Sequence, residues 1–286
     1  MRIAGSIRPA EPLLLALAVI LVLWPLLSAR AEIDPQYLNR IDDLKERLVI
    51  QGFDGEALTR LLADDRVVLY PQILERRGKG LNYMGRRFGL LTKRSITQGV
   101  QFLSRNRAAL GAIEQAYGVD REILVAILRV ETNFGSYTGN FPVFNSLLTR
   151  AVIENRRSQW AEEELVYLLR FTGEQGSDPL LIKGSWAGAF GIPQFIPSSY
   201  VKYAVDGNGD GRVNLYDVTD ALASVASYLR AHGWERGNGD QNRKAVYAYN
   251  HCDNYVDAVF AYAQATKKVA VPIQQGPHGH RESRKR

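Results

Sequence analysis

The chain has 286 residues, of which 46% are apolar, 23% charged and 10% aromatic, the balance of an ordinary soluble globular protein. Its formal charge is +6, from 36 Lys and Arg against 30 Asp and Glu; this suits an anionic polymer as partner. No zinc finger, RNA-binding aromatic signature or groove-reading basic helix points to nucleic acid. A lone cysteine, Cys252, excludes an internal disulfide and reads as a partly buried bystander.

The chain opens on an address. Arg2 and Arg8 precede an apolar run, Leu13 to Leu27, and Ser28-Ala29-Arg30-Ala31 places small residues at the two positions a signal peptidase reads. Residues 1–31 are therefore expected to be a cleaved export signal, with an uncleaved anchor as the alternative. No cysteine is placed for acylation, so a lipoprotein is not expected. Removing Arg2, Arg8, Arg30 and Glu11 leaves a charge of +4.

Residues 32–94 read as a smaller, N-terminal helical lobe. Asp34-Pro35 is an N-cap followed by proline, and Leu38, Ile41, Leu44 and Leu48 recur at helical spacing until Gly52. Val67-Val68-Leu69-Tyr70 suggests a short strand, and a basic, Gly-rich turn follows it to Gly89.

From Ser95 to residue 268 the helical signal strengthens. Val100, Leu103, Leu110, Ile113 and Ala116 predict one amphipathic helix ending near Gly118. Asp120 then caps a second helix, with Glu122 complementing its dipole. On that helix Ile123, Ile127 and Glu131 share a face, with Leu124 and Leu128 beside them. Spacing alone permits two readings of Glu131. It either turns out to water, or it closes an apolar stripe, where burial would raise its pKa and suit it to general acid catalysis. Glu162, Glu163 and Glu164 read as an exposed helix face.

Asp206-Gly207-Asn208-Gly209-Asp210-Gly211-Arg212-Val213-Asn214 matches the first nine positions of an EF-hand loop. Oxygen ligands fall at positions one, three and five, glycine at six and an apolar residue at eight. Arg212 would offer only its backbone carbonyl. Position twelve is Asp217, shorter than the usual Glu. A structural calcium ion is expected here, pinning the loop to a helix marked by Leu222, Val225, Ala226 and Leu229 and capped by Gly233. The segment 269–286 reads as a basic disordered tail whose His278 and His280 are simply solvated.

Three ordered motifs carry a resemblance: Val130-Glu131-Thr132-Asn133-Phe134-Gly135, the run Ser185 to Tyr200 (SWAGAFGIPQFIPSSY), and Tyr247-Ala248-Tyr249-Asn250-His251. Together they resemble the membrane-bound lytic murein transglycosylase B family, across most of residues 95–268. The resemblance implies a mainly α fold of the lysozyme-like α+β superfamily, with the EF-hand-like loop extending over 206–220. It implies Glu131 as the sole catalytic carboxylate, and Ser185, Gln194, Tyr249, Asn250 and Tyr255 lining the sugar groove. Arg156 and Arg157 fall where that family places basic residues that meet the substrate. Asp220 stands where the family closes its calcium loop, so the ligands implied are Asp206, Asn208, Asp210, Arg212 and Asp220, with Asp217 the alternative to the last.

The reaction implied is cleavage of the β-1,4 bond between N-acetylmuramic acid and N-acetylglucosamine in peptidoglycan, closing a 1,6-anhydro ring. Ordinary glycosidases use two carboxylates; here the sugar's own 6-hydroxyl would replace the second. No organic cofactor is expected. A monomer in the periplasm is, with glycan strands as substrate and wall-synthesis or division proteins as candidate partners. The competing functions are a hydrolytic muramidase and a non-catalytic wall-binding protein.

Overall fold

Asp34 accepts the amide of Gln36 and starts a 3-10 turn, Pro35–Tyr37, which runs straight into α1 (Leu38–Ile50). The protein is seen here as a computed structural model that describes residues 34–75, 81–153 and 155–270. The export signal expected over 1–31 and the expected tail from 271 onward lie outside the described residues. Helix α1 buries Ile41, Leu44 and Leu48 but leaves Leu38 46% exposed. Helix α2 (Gly55–Leu62) is capped by Asp54, which accepts the Ala57 amide at 2.6 Å.

The strand expected at Val67–Tyr70 is absent: the segment is irregular and pairs with no strand. Its apolar side chains are used another way. Val67 is buried, and the Tyr70 amide donates to Thr149 Oγ1 on α6 (Val143–Val152). Asn145 Nδ2, on the same helix, donates to the Arg66 carbonyl at 2.8 Å. Arg47 reaches from α1 to Glu162 on α7 (Ser158–Glu174) at 3.0 Å. The N-terminal residues therefore share one core cluster with the rest of the described chain.

The single helix expected between Val100 and Gly118 is two, α3 (Lys93–Arg105) and α4 (Arg107–Tyr117). Asn106 separates them at φ −103°, ψ 20°, with its Nδ2 donating to the Phe102 carbonyl. The Asn106 amide keeps its bond to the same carbonyl at 3.1 Å, so amide and side chain share that acceptor where α3 ends. Leu110 and Ile113 are buried as expected, while Ala116 is exposed. Gly118 closes α4 in the left-handed region.

Helix α5 (Arg121–Thr132) lies at the centre, packed against α3, α9 (Val218–Ala231) and α11 (Asp253–Ala270). Asp120 occupies its N-cap position but makes no side-chain cap bond. From Ile123 to Leu128 every residue is 3% exposed or less. A helix apolar all round belongs inside a core, and each such aliphatic side chain contributes about 1.5–3 kcal/mol on burial.

The remaining elements build one wall beside the end of α5. Two-residue strands β1 (Phe141–Pro142) and β2 (Lys183–Gly184) pair antiparallel, and bridges Gly184–Phe190 and Phe190–Phe195 extend them into a folded ribbon. Helix α8 (Pro197–Tyr203) follows. Glu164, expected on an exposed face with Glu162 and Glu163, is 3% exposed. Its two oxygens accept the amide and hydroxyl of Ser198, each at 2.8 Å, satisfying the start of α8. Helix α10 (Gly239–Tyr249) precedes α11, which ends at Ala270, past the boundary expected at residue 268. The architecture is mainly α with one small ribbon, as the sequence implied. No helix among the described residues is long and apolar enough to cross a membrane.

Candidate active site

Glu131 occupies the last turn of α5, one turn beyond the fully buried Ile127. It is half-buried, and it borders a cavity of about 400 Å³ lined also by Phe88, Ser95, Gln98, Asn133 and Tyr137. The Tyr255 hydroxyl donates to Oε1 at 2.6 Å, while Oε2 has no hydrogen bond among the described residues. Burial raises the carboxyl pKa to about 7; the Tyr255 bond opposes that rise without cancelling it. Of the two readings open to spacing, the sheltered one describes this geometry.

The helix stops directly after the acid in a costly way. Asn133 and Phe134 are both left-handed, at φ 50° and 60°, a region that side chains other than glycine rarely adopt. Such residues cost about 1–3 kcal/mol each. The offsets are visible: the Phe134 amide returns to the Leu128 carbonyl, and its ring stacks on Phe102 at 4.7 Å. Buried Thr132 takes the Gly135 amide and donates to the Ile192 carbonyl at 2.8 Å, tying the acid's helix to the ribbon.

Aromatic rings enclose the acid. Tyr249 and Tyr255 stack with centroids 6.4 Å apart and planes 7° from parallel. Burial pushes both phenols well above the ordinary tyrosine pKa, and the nearby Glu131 charge adds to it. Each hydroxyl therefore stays a donor. Tyr249 gives its proton to the Pro193 carbonyl at 2.6 Å, one residue before Gln194. Tyr83, from the irregular segment after α2, presents its ring to Tyr255 edge-on at 5.4 Å and lies 3.5 Å from Asn250 Nδ2. Its pKa is also raised, by burial first and then by Glu131. Sequence reasoning missed Tyr83, because its segment has no periodicity.

Gln194 adopts φ 54°, held by its Nε2 donating to the carbonyls of Thr138 and Gly191, each at 3.0 Å. Ser185 turns the ribbon: its amide donates to the Ala189 carbonyl and its Oγ accepts the Ala189 amide. Gly188 inside that turn sits at φ 92°, and a Cβ there would lie 2.7 Å from Leu147. The structure thus brings Glu131, Tyr255, Tyr249 and Asn250 together and places Gln194 at their margin. Among the described residues Ser185 makes no hydrogen bond to that group. Arg156 and Arg157 are exposed, Arg157 lying 5.6 Å over Trp160, and among the described residues no hydrogen bond or ion pair joins either to Glu131.

The 206–220 segment wraps onto α9. Asp206 accepts the amides of Gly209, Asp210 and Gly211, which holds its carboxyl below the ordinary range. Asn208 Oδ1 accepts the Asp210 amide, and Asp210 accepts that of Arg212. Fully buried Asp220 accepts the amides of Gly207, Asn208 and Asn214. Asp217 is instead the N-cap of α9, accepting the amides of Thr219 and Asp220. Among the described residues no three His, Cys, Asp or Glu side chains form a metal-holding group. The loop's donors are mixed: carboxylates, one amide and a backbone carbonyl, all oxygen, a set suited to a hard cation.

Residues 37–240 match the family model described as the transglycosylase SLT domain. A 148-residue stretch, 52% of this chain, is 43% identical to the Escherichia coli membrane-bound lytic murein transglycosylase B; the match spans 41% of that relative's length. The fold is similar to that of the E. coli lytic transglycosylase SLT35 in complex with calcium, at TM-score 0.74 and 28% identity over 81% of this chain and 93% of that one. It is also similar to Pseudomonas aeruginosa SltB3 in complex with NAG-anhNAM-pentapeptide, at TM-score 0.72 and 26% identity over 81% of this chain and 79% of that one. With a helical fold shared over four-fifths of its length and a matching domain model over most of it, the chain belongs to the transglycosylase SLT domain family.

Proposed function

We propose that the chain is a peptidoglycan lytic transglycosylase with Glu131 as its single acid and base. One observation carries the reading. Glu131 is a sheltered carboxyl with one oxygen bonded to Tyr255 and the other unbonded, beside a cavity open to a ligand. Among the described residues the two fully sheltered acids already have partners, Glu164 in Ser198 and Asp220 in three amides. A reaction needing one carboxylate fits this inventory better than one needing two.

In the reaction, Glu131 gives its proton to the oxygen joining N-acetylmuramic acid to the next sugar as the C1–O bond breaks. The resulting carboxylate accepts the proton of the same sugar's 6-hydroxyl, whose oxygen bonds to C1 and closes the 1,6-anhydro ring. Glu131 ends protonated and no water is consumed. The tethered hydroxyl makes the second step intramolecular, so effective molarity replaces a positioned water. Tyr255 orients the carboxyl and, with Tyr249, Tyr83 and Asn250, keeps the site dry. Ser185 and Gln194 line the sugar groove, and Arg156 and Arg157 meet the polymer farther out.

The calcium site belongs to the same proposal. Asp206, Asn208, Asp210, the Arg212 carbonyl and Asp220 would hold the ion: Asp220 is turned into the loop, accepting the amides of Gly207, Asn208 and Asn214, whereas Asp217 is turned onto α9. Bound calcium would supply rigidity to the loop beside Leu215, whose carbonyl accepts the Ile192 amide of the ribbon. Export by residues 1–31 would deliver the enzyme to the periplasm.

Mass spectrometry of products released from purified sacculi tests the reaction. Anhydro-muramoyl ends, lighter by one water than the hydrolytic product, are expected from the parent and none from Glu131→Gln. Reducing ends would make the protein a muramidase, and equal release by the variant would remove Glu131 from the chemistry.

A further inference from the structure

Two cations in the Glu131 cavity are unused by this reaction. Arg129 precedes the acid by two residues on α5 and is half-buried on the cavity wall. Its Nε donates to Ser95 Oγ at 2.9 Å, its guanidinium lies 5.6 Å over the Phe88 ring, and Tyr262 is its remaining polar neighbour. Among the described residues it has no carboxylate partner. Burial lowers its pKa, yet a guanidinium stays protonated at any working pH. An enclosed charge without a counter-charge is costly, and a neutral hydroxyl and a ring face compensate poorly. Arg129 does not tune the acid either, since burial and Tyr255 account for the proton affinity of Glu131.

Arg94 lines the same cavity from the first turn of α3 and is exposed. A cation in that turn opposes the helix dipole, so the fold gains nothing from it there. Gln98, one turn along, adds an amide to the wall. The cavity thus holds two cations and only one acid, and that acid begins the reaction neutral.

Resting on the reaction proposed above, we propose that Arg129, assisted by Arg94, forms a carboxylate-binding subsite beside Glu131 that reads an acidic group on the muramoyl residue being cleaved. With its Nε on Ser95 and a further hydrogen bond to Tyr262, the guanidinium of Arg129 still keeps Nη hydrogens to offer a carboxylate. Muramic acid offers that chemistry in two ways. Its lactyl ether ends in a free carboxylate when no peptide is attached, and the attached peptide carries carboxylates of its own. Arg129 moves no proton; it fixes which sugar ring enters and how far.

Calorimetry tests this in the Glu131→Gln background, where saccharide survives to be measured whatever the reaction proves to be. The probes are peptide-free glycan fragments, peptide-bearing fragments, and both again with their carboxyls amidated. Adding Arg129→Gln is expected to weaken binding of a carboxylate-bearing probe by about ten- to a hundredfold, the worth of one charge-assisted pair, and to leave amidated probes within about twofold. A loss confined to peptide-free fragments assigns the lactyl carboxylate, and one confined to peptide-bearing fragments assigns the peptide. Arg129→Lys, which keeps charge but not the fork, should fall between. If Arg129→Gln fails to fold, amidation alone must weaken binding to unsubstituted Arg129 by the same factor. Equal losses on charged and amidated probes, or no loss on either, would overturn the subsite. Failure to form anhydro ends would overturn the reaction and leave these binding results readable.

Discussion

Two acids in this molecule, Glu131 and Asp206, sit in opposite surroundings and titrate in opposite directions. Asp206 is half-buried like Glu131 but accepts three backbone amides, so its carboxylate is favoured and its pKa falls. Glu131 has one phenol and a dry wall, so its pKa rises to about 7. The number of donors aimed at a carboxylate, set against its burial, decides whether it serves as an anchor or as an acid. Glu164 lies between: burial raises its pKa while the two Ser198 bonds pull it back. It is a brace.

The largest way to break this contrast is to remove the acid. Glu131→Gln should cut turnover of sacculi by about 10²–10⁴-fold, the usual worth of a general acid. Its stability should move the other way. A carboxyl whose folded pKa is about 7 against 4.5 unfolded is fully compatible with the fold below pH 4.5 and costs stability as pH rises toward 7. The variant should therefore match the parent's stability at pH 4 and exceed it at pH 8, by about 3 kcal/mol at most. A parent with pH-independent stability across that window would refute the sheltered acid. Turnover by the parent should correspondingly fall as pH rises through about 7.

Next in size is the anchor. Asp220→Ala leaves the amides of Gly207, Asn208 and Asn214 unpaired. A loss of about 3 kcal/mol or more is expected from stranded donors of this kind. Thermal melting with and without chelator should show calcium protecting the parent and not the variant. Asp217→Ala should cost about 1 kcal/mol as a lost N-cap and keep the calcium response, which separates the two aspartates.

Much of this contrast was legible in the chain. The Ile123–Ile127–Glu131 spacing put an acid on an apolar face, and the 206–214 pattern put oxygen donors on a tight loop. Glu164 was legible too, though misread: Ala161, Glu164, Leu165 and Leu168 form a buried stripe at helical spacing. Three consecutive acids obscured the one that faces inward. At the break, the Asn106 side chain and amide share the Phe102 carbonyl, a local contact that hydrophobic period does not register. Tyr83 could not be found, since an aperiodic segment gives no direction for its ring; only the packed rings of Tyr255 and Phe88 define it.

Tyr255→Phe sharpens the comparison by the smallest step. It removes the one donor on Glu131 while leaving the ring that packs on Tyr249 and Tyr83. If donor count governs the acid, its pKa must climb further, because the bond that opposes the rise is gone. The alkaline limb of the pH–rate profile should then shift upward. The plateau should drop by about tenfold or less, the worth of a single hydrogen bond to a carboxyl that begins the reaction neutral. A limb that stayed in place with a lowered plateau would mean that Tyr255 orients the carboxyl without setting its proton affinity. A limb moving downward would mean that burial is not what holds the proton.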